Sequence, residues 1–404
     1  MSEWIETTLG DLFEVDNSRL GSHSVEPTVM SLSKYDGFVR ADDYFDKRIA
    51  SEKLDAYKVV EPGEWAFSTI HIDEGSIARN NLGEQGVISP MYTTMRWATT
   101  DHLAEYGELL LREPGMLAEY GRRAQGSVNR RRSLSFKNFA AIPVTMPPHF
   151  EQRRIVDVLG AVDSYIDAME AEMQRAHAFL QVSISETLAE MPRTRILGEF
   201  TTTRSGPSYS AADVAREPMP GSVPSIGIPN TKPDGSLDLS EVGHVSGLGD
   251  KVGTVDETSL VLIRTNGNRS RIGNVYLPSV AAHGHIVSAF QFLMKVDDSA
   301  DREFVYWVLR EPSMQAAMSA AASGTTGLGN LAVKWLNSAR VYWTDDPEQR
   351  RSVTLALRAQ QDVVDSIRDE LARLRMFRSA LLASLLNQDV EIPKSYDALL
   401  EAAS

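Results

Sequence analysis

Between Glu119 and Glu151 the chain carries no aspartate or glutamate, yet Arg122, Arg123, Arg130, Arg131, Arg132 and Lys137 all fall there. Guanidinium groups in such a run neutralise phosphates, and arginine also matches the O6/N7 edge of guanine. Gln125, Ser127 and Asn129 lie among them and carry the amide and hydroxyl groups that reach base edges. Five arginines without an acid nearby repel one another in the free protein. That favours a polyanion over the plainer reading, a solvated basic loop. Two more acid-free windows run from Glu257 to Asp297 and from Glu311 to Asp345. The first holds Lys295 and a basic, turn-rich stretch, Arg264 to Arg271, in which Arg264, Arg269 and Arg271 are candidate DNA contacts. Asn266 and Asn268 in that stretch suit adenine, although Asn-Gly turn chemistry accounts for them equally well. The second holds a nearly uncharged glycine-threonine loop, in which Thr325, Thr326 and Asn330 can bond phosphate or base, with Lys334 beside them. Chance and loop composition are the bland explanation of all three windows.

Other chemistry is poorly supplied. The chain has no cysteine, which removes disulfides, thiol nucleophiles and thiolate zinc sites and fits a reducing cytoplasm. His283 and His285 form a His-x-His pair with no carboxylate or cysteine near them in sequence, so no metal site is expected. An amino-methyltransferase holds its flipped base with an Asn/Asp-Pro-Pro-aromatic motif. The nearest string, Ser89-Pro90-Met91-Tyr92, lacks the acceptor and the second proline. No Walker loop and no glycine-rich turn of the methyl-donor cofactor kind occurs. Pro233-Asp234 is not followed by the acid-x-Lys of a metal-dependent nuclease. A non-catalytic subunit of an enzyme complex is the expectation.

The 404 residues suggest two to four domains, and an apolar content of 42% is enough for real cores. The formal net charge of −14 opposes a nucleic-acid partner when taken whole; its distribution does not. Met1 to Gly10 shows no basic and no apolar leader region, and no apolar run reaches the length of a membrane span. A cytoplasmic protein with no membrane partner is expected.

The elements that must hold the basic loops are mixed. Residues 1–147 read as an α+β domain. It has a short strand or helix at Trp4 to Asp16, strands at Glu61 to Ile70, Gly86 to Trp97 and Ala141 to Met146, and a helical stretch from His102 to Tyr120 broken at Pro114-Gly115. Pro147-Pro148 stops it, and residues 148–192 form the segment of a long helix that runs to about Glu190 and ends before Pro192. Residues 193–345 start over, with strands at Val261 to Thr265, His285 to Met294 and Arg340 to Trp343 and a helical stretch from Phe304 to Ala322. A second long helix fills 346–390, and 391–404 reads as a loose tail. Trp4, Trp65, Trp97, Trp307, Trp335 and Trp343 sit in apolar runs and are expected in cores.

Both long helices carry a coiled-coil seam, apolar at alternating steps of four and three. In the second it is Val353, Leu357, Gln360, Val364, Ile367, Leu371, Leu374, Arg378, Leu381 and Leu385. In the first it is Ile155, Leu159, Val162, Ile166, Met169, Met173, Ala176 and Leu180, on the same register 198 residues earlier. Asp163, Asp167, Glu170 and Glu172 make an acidic face, either solvated or docking a basic partner. The duplication is wider than the helices. Leu111-Arg112-Glu113-Pro114 recurs 198 residues on as Leu309-Arg310-Glu311-Pro312. Glu151-Gln152-Arg153-Arg154 recurs as Glu348-Gln349-Arg350-Arg351, and Val87-Ile88-Ser89 is echoed by Ile286-Val287-Ser288. Two equal helices in one chain bury each other's seams most simply when antiparallel. The expectation is therefore a pseudo-two-fold molecule with its two domains at opposite ends of a rod of roughly 60 Å. A two-fold protein on duplex DNA reads opposite strands at its two ends.

On these features the chain resembles the specificity subunit of type I restriction–modification enzymes, over nearly its full length. They are the tandem domain–helix repeat, the proline-rich exits at Pro147 to Gln152 and Pro347 to Gln349, the repeated Leu-Arg-Glu-Pro element, and the Gly126-Ser127 and Gly324-Thr325-Thr326 loops. The resemblance implies two target-recognition domains, each reading one half of a bipartite site in double-stranded DNA. It implies that the antiparallel coiled coil sets the spacer and docks two methyltransferase subunits, with restriction subunits joining to complete the nuclease. It implies no cofactor in this chain, S-adenosylmethionine being held by the methyltransferase partners. A coiled-coil adaptor that joins two proteins without touching DNA is the other reading; a stand-alone nuclease or methylase with cryptic motifs is a weaker third.

Overall fold

The computed structural model describes residues 4–22, 27–44, 53–126, 132–249, 252–324, 327–393 and 395–397. It divides into two units, Met1–Ala168 with Leu371–Ser404, and Met169–Glu370.

In the first unit the strand Ile5–Thr8 pairs antiparallel with Pro143–Met146, so the two ends of the globular part lie side by side. Trp4 to Asp16 holds both a helix and strands. Ile5–Thr8 leads into a single turn, Leu9–Leu12, and then the strand Phe13–Asp16. Thr8 and Asp11 make the turn, since the Asp11 carboxylate accepts from the Thr8 hydroxyl (2.6 Å) and the Thr8 N–H (3.0 Å). The main sheet runs Phe13–Asp16, Tyr92–Trp97, Trp65–Ser68, Ile77–Arg79, antiparallel throughout. Gly86 to Trp97, expected as one strand, is two, and Gly86–Ile88 pairs instead with Lys58–Val60. Pro90 lies in the turn between them, where its missing N–H costs no ladder bond. Helices Ala104–Leu111, Pro114–Arg123 and Phe136–Ala140 complete the core. There Phe13, Trp65, Phe67, Tyr120 and Phe139 pack edge to face or stacked.

The second unit repeats the plan. Arg193–Ile196 pairs with Arg340–Tyr342, and the main sheet runs Thr201–Ser205, Gln291–Val296, Ser259–Ile263, Val275–Tyr276, strand for strand the order of the first. Here too one expected strand is two. Ile286–Val287 runs parallel to Val223–Ile226, and only Gln291–Val296 joins the main sheet. Phe304 to Ala322 splits into Arg302–Arg310 and Pro312–Ala321. The cause is the repeated Glu-Pro pair. Glu311 caps the second helix, accepting from Ser313 N–H (3.1 Å) and Met314 N–H (2.9 Å), as Glu113 accepts from Met116 N–H (3.1 Å) in the first unit. Trp65, Trp307 and Trp343 are buried, whereas Trp4, Trp97 and Trp335 are half-buried.

The two long helices are His149–Ala189 and Pro347–Leu386. Within each unit a segment of one runs antiparallel to a segment of the other. In the first unit Ile155 and Leu159 share a core with Leu385 and Leu382. In the second, Leu180, Ile184 and Leu188 share one with Val364, Leu357 and Val353. The seam residues Ile155, Leu159, Ile166, Leu180, Val353, Leu357, Val364, Leu371 and Leu385 are buried, and Val162, Met169, Met173, Ile367, Leu374 and Leu381 half-buried; none is exposed. Arg378, a polar member of the seam, is answered by Asp163, whose carboxylate takes Nη2 at 2.8 Å and Nε as well. Asp163 thus faces the partner helix, a correction to its placement on an acidic outer face.

Candidate nucleic-acid interface

The loop after the helix Pro114–Arg123 is built to be held at its base. Gln125 and Ser133 exchange backbone hydrogen bonds of 2.9 and 2.8 Å, and Gly126 takes φ 142°, in a region open mainly to glycine. Arg132 donates Nε (3.1 Å) and Nη2 (2.7 Å) to the Ala124 carbonyl just past the helix, where a cation suits the dipole. Arg122 and Arg123 both pair with Glu119 one turn back, and Arg123 also donates to the Ala141 carbonyl at 3.2 Å. The acid-free window therefore opens just past the acid that neutralises two of its arginines, and their mutual repulsion is smaller than expected. Gln125 and Lys137 are exposed. Ser127, Asn129, Arg130 and Arg131 lie outside the described residues, as do Thr325 and Thr326 in the second unit.

The second unit closes its loop in the same way. Ser323 and Asn330 exchange backbone bonds of 3.0 and 2.8 Å, and Gly324 takes φ 139°. The basic stretch and the glycine-threonine loop, apart in sequence, form one surface. Thr265–Asn266 pairs with Gly329–Asn330, the Thr265 hydroxyl donates to the Asn330 side chain (2.9 Å), and Arg269 Nη2 donates to the Gly324 carbonyl (2.7 Å). Asn266 and Asn268 spend acceptors on turn geometry. Asn266 Oδ1 takes the Asn268 N–H (2.9 Å), and Asn268 Oδ1 takes Ser270 N–H (3.0 Å) and Oγ–H (2.7 Å). Arg264 and Arg271 are half-buried and donate to the carbonyls of Ala289 and Thr231. Lys334 is exposed on the helix Val333–Ser338. Lys295, on the strand Gln291–Val296, pairs with Asp256 just before the strand Ser259–Ile263. Burial alone would raise the Asp256 carboxyl, but hydrogen bonds from Lys295, Thr258 and Ser259 outweigh it and hold it below the usual carboxylate range.

One repeat escapes a reading of charge alone. Lys34-Tyr35-Asp36-Gly37 and Lys232-Pro233-Asp234-Gly235 stand 198 residues apart, each glycine at positive φ (72° and 90°). Arg112 of the Leu-Arg-Glu-Pro element holds the first turn through the carbonyls of Lys34 (2.6 Å) and Tyr35 (3.1 Å). Asp234 of the second pairs with Arg368 of the long helix at 3.0 Å. The spaced Lys-x-Asp-Gly was the available signal. Among the described residues no cluster of His, Cys, Asp or Glu could hold a metal ion, and no helix is long and apolar enough to cross a membrane.

Two diverged copies of one mixed domain, each followed by a long helix whose segments pair antiparallel, define a class of fold. No family model matches the sequence, and no curated protein does. Solved structures match across the chain. A chain from a type I restriction–modification system, in work on its complex assembly and conformational transition, is 14% identical with a TM-score of 0.57, covering 95% of this chain and 97% of that one. Looser likenesses run to the S subunit of a type I restriction–modification system from M. genitalium and the HsdS subunit from Thermoanaerobacter tengcongensis. The first has a TM-score of 0.47 at 13% identity, over 95% and 96% of the two chains. The second has 0.40 at 15% identity, over 96% and 97%. This chain shares the fold of the first.

Proposed function

We propose that this chain is the DNA-specificity subunit of a type I restriction–modification complex. Each unit's mixed domain reads one half of a bipartite site, and the paired helices set the spacer and dock two methyltransferase subunits. The observation that carries the reading is the fold shared end to end with a chain of such a system, at 95% and 97% coverage. Polar loops of like build, closed at Gln125/Ser133 and Ser323/Asn330, occupy the same place in both copies and support it. Positioning falls to Arg132 and Arg269, which hold the loop bases; phosphate and base contacts fall to the residues the loops present. The chain itself supplies no catalysis. Methyl transfer from S-adenosylmethionine belongs to the partner subunits, and cleavage to restriction subunits where these join.

The test is co-expression with methyltransferase subunits, followed by a duplex-DNA shift at low and moderate salt and by sequencing of methylated bases. A salt-dependent shift and a split methylated motif are expected. A stable complex that neither shifts nor methylates any DNA would leave the coiled-coil adaptor in its place.

A further inference from the structure

Beside each loop stands an exposed apolar side chain at a turn tip. Ser89-Pro90-Met91-Tyr92 and Ser288-Ala289-Phe290-Gln291 occupy the same position in the two copies, directly after the echoed Val87-Ile88 and Ile286-Val287. Met91 is 62% exposed and Phe290 49%. The turns match in geometry, with Tyr92 N–H donating to the Ser89 carbonyl (3.1 Å) and Gln291 N–H to the Ser288 carbonyl (3.0 Å). The second is locked further, because Gln291 Oε1 accepts from both the N–H (3.1 Å) and the hydroxyl (2.6 Å) of Ser288.

Each tip is tied to its loop through the residue that follows a central strand, Thr69 after Trp65–Ser68 and Arg264 after Ser259–Ile263. In the first unit the Met91 carbonyl accepts from the Thr69 hydroxyl (3.4 Å), and the Thr69 carbonyl from Leu134 N–H (2.8 Å), one residue past the loop closure at Ser133. In the second the Phe290 carbonyl accepts from Arg264 N–H (2.9 Å) and Thr265 N–H (3.1 Å). The Arg264 carbonyl then accepts from Leu331 N–H (2.9 Å), one residue past Asn330. A cation sits on each turn: Lys58 Nζ on the Tyr92 carbonyl (2.8 Å), Arg264 Nη1 on the Ala289 carbonyl (3.4 Å). A lone exposed apolar residue means little. An exposed apolar side chain at the same place in two diverged copies, on a hydrogen-bonded turn tied to a polar loop, matches duplex DNA: polar loop groups for phosphates and an apolar group for a thymine methyl or an opened base step.

We propose that Met91 and Phe290 are specificity-determining residues, each making an apolar contact with a base of the half-site its own domain reads. The inference rests on the proposed DNA-reading function. The two side chains differ in shape, as two unlike half-sites require.

The experiment uses the complex with methyltransferase subunits and its sequenced methylation motif, with every single-base variant of that site measured for binding. Phe290→Ala is expected to cut discrimination about tenfold at one base pair of one half-site, and Met91→Ala to do so in the other half-site. Phe290→Leu keeps part of the effect. Discrimination that stays at wild-type level in both variants, or falls equally in both half-sites, overturns the inference and leaves DNA reading standing. A wild-type complex with no preferred site removes the parent reading and this inference together.

Discussion

Glu119 shows how one residue changes the meaning of its neighbours. Five arginines in an acid-free run suggest unpaired charge, yet two of them close onto an acid a single helical turn away. Sequence windows count along the chain, while charge is paired through space, and a helix brings residues three and four apart together. Asp256, just before the strand Ser259–Ile263, and Lys295 on the neighbouring strand are likewise paired through space, and they give a pH test. A carboxyl held low in the folded state stabilises above its unfolded value and loses that contribution as pH falls through the folded value. Asp256→Asn is therefore expected to lower stability at pH 7. Its deficit should shrink as pH falls below about 4, where the unfolded carboxyl protonates. Urea unfolding of both proteins at the two pH values checks it; a constant deficit would mean the pair does not set the shift. The duplicated caps give a second test. Glu311 is buried, caps with two N–H groups and takes Arg193 at 3.0 Å; Glu113 is half-buried and caps with one. Glu311→Ala should cost about 1–3 kcal/mol and Glu113→Ala about 1, read as the difference in urea midpoint times slope.

Elements were legible where periodicity is long. Forty residues of four-three spacing leave one face to bury, and His149–Ala189 and Pro347–Leu386 fall where that spacing and the flanking prolines put them. Short strands were less so. Two neighbouring apolar runs around Ser89-Pro90, and two around Ser288, read as single strands because their residues suit strands throughout; the break comes from which partner each half finds. In the small sheet Val214–Ala215, Gly243–Val245, Val223–Ile226, Ile286–Val287, the first three strands, two to four residues long, left no pattern. The polar seam positions part company. Arg378 finds Asp163, whereas Gln360 keeps its Oε1 buried without a hydrogen-bond partner. Leu357→Ala, at a fully buried seam position, should cost about 2–5 kcal/mol. Gln360→Leu should stabilise by about 1 kcal/mol, since it removes an unsatisfied acceptor from an apolar seam. Calorimetry of both variants decides, and an unchanged or lowered transition for Gln360→Leu would mean that its amide is satisfied in solution.

At the scale of the whole molecule, each long helix serves two cores in turn. Ile155 and Leu159 lie in one and Leu180, Ile184 and Leu188 in the other; Val353, Leu357 and Val364 lie in one and Leu382 and Leu385 in the other. The boundary between units falls at Ala168/Met169 in the first helix and Glu370/Leu371 in the second. If the helices are the ruler, seven residues inserted at both boundaries should leave both domains folded, because a heptad restores the seam register on each side. The added rise is about 10 Å, at ~1.5 Å per residue. At ~3.4 Å per base pair along one strand this is up to three more base pairs of spacer. Sequencing of methylated bases in cells carrying the lengthened subunit should show both half-sites intact and the gap widened. Insertion in one helix alone should slip the seam and abolish methylation. A double insertion that methylates with the original spacing would show that the domains find their half-sites without the helices measuring the gap.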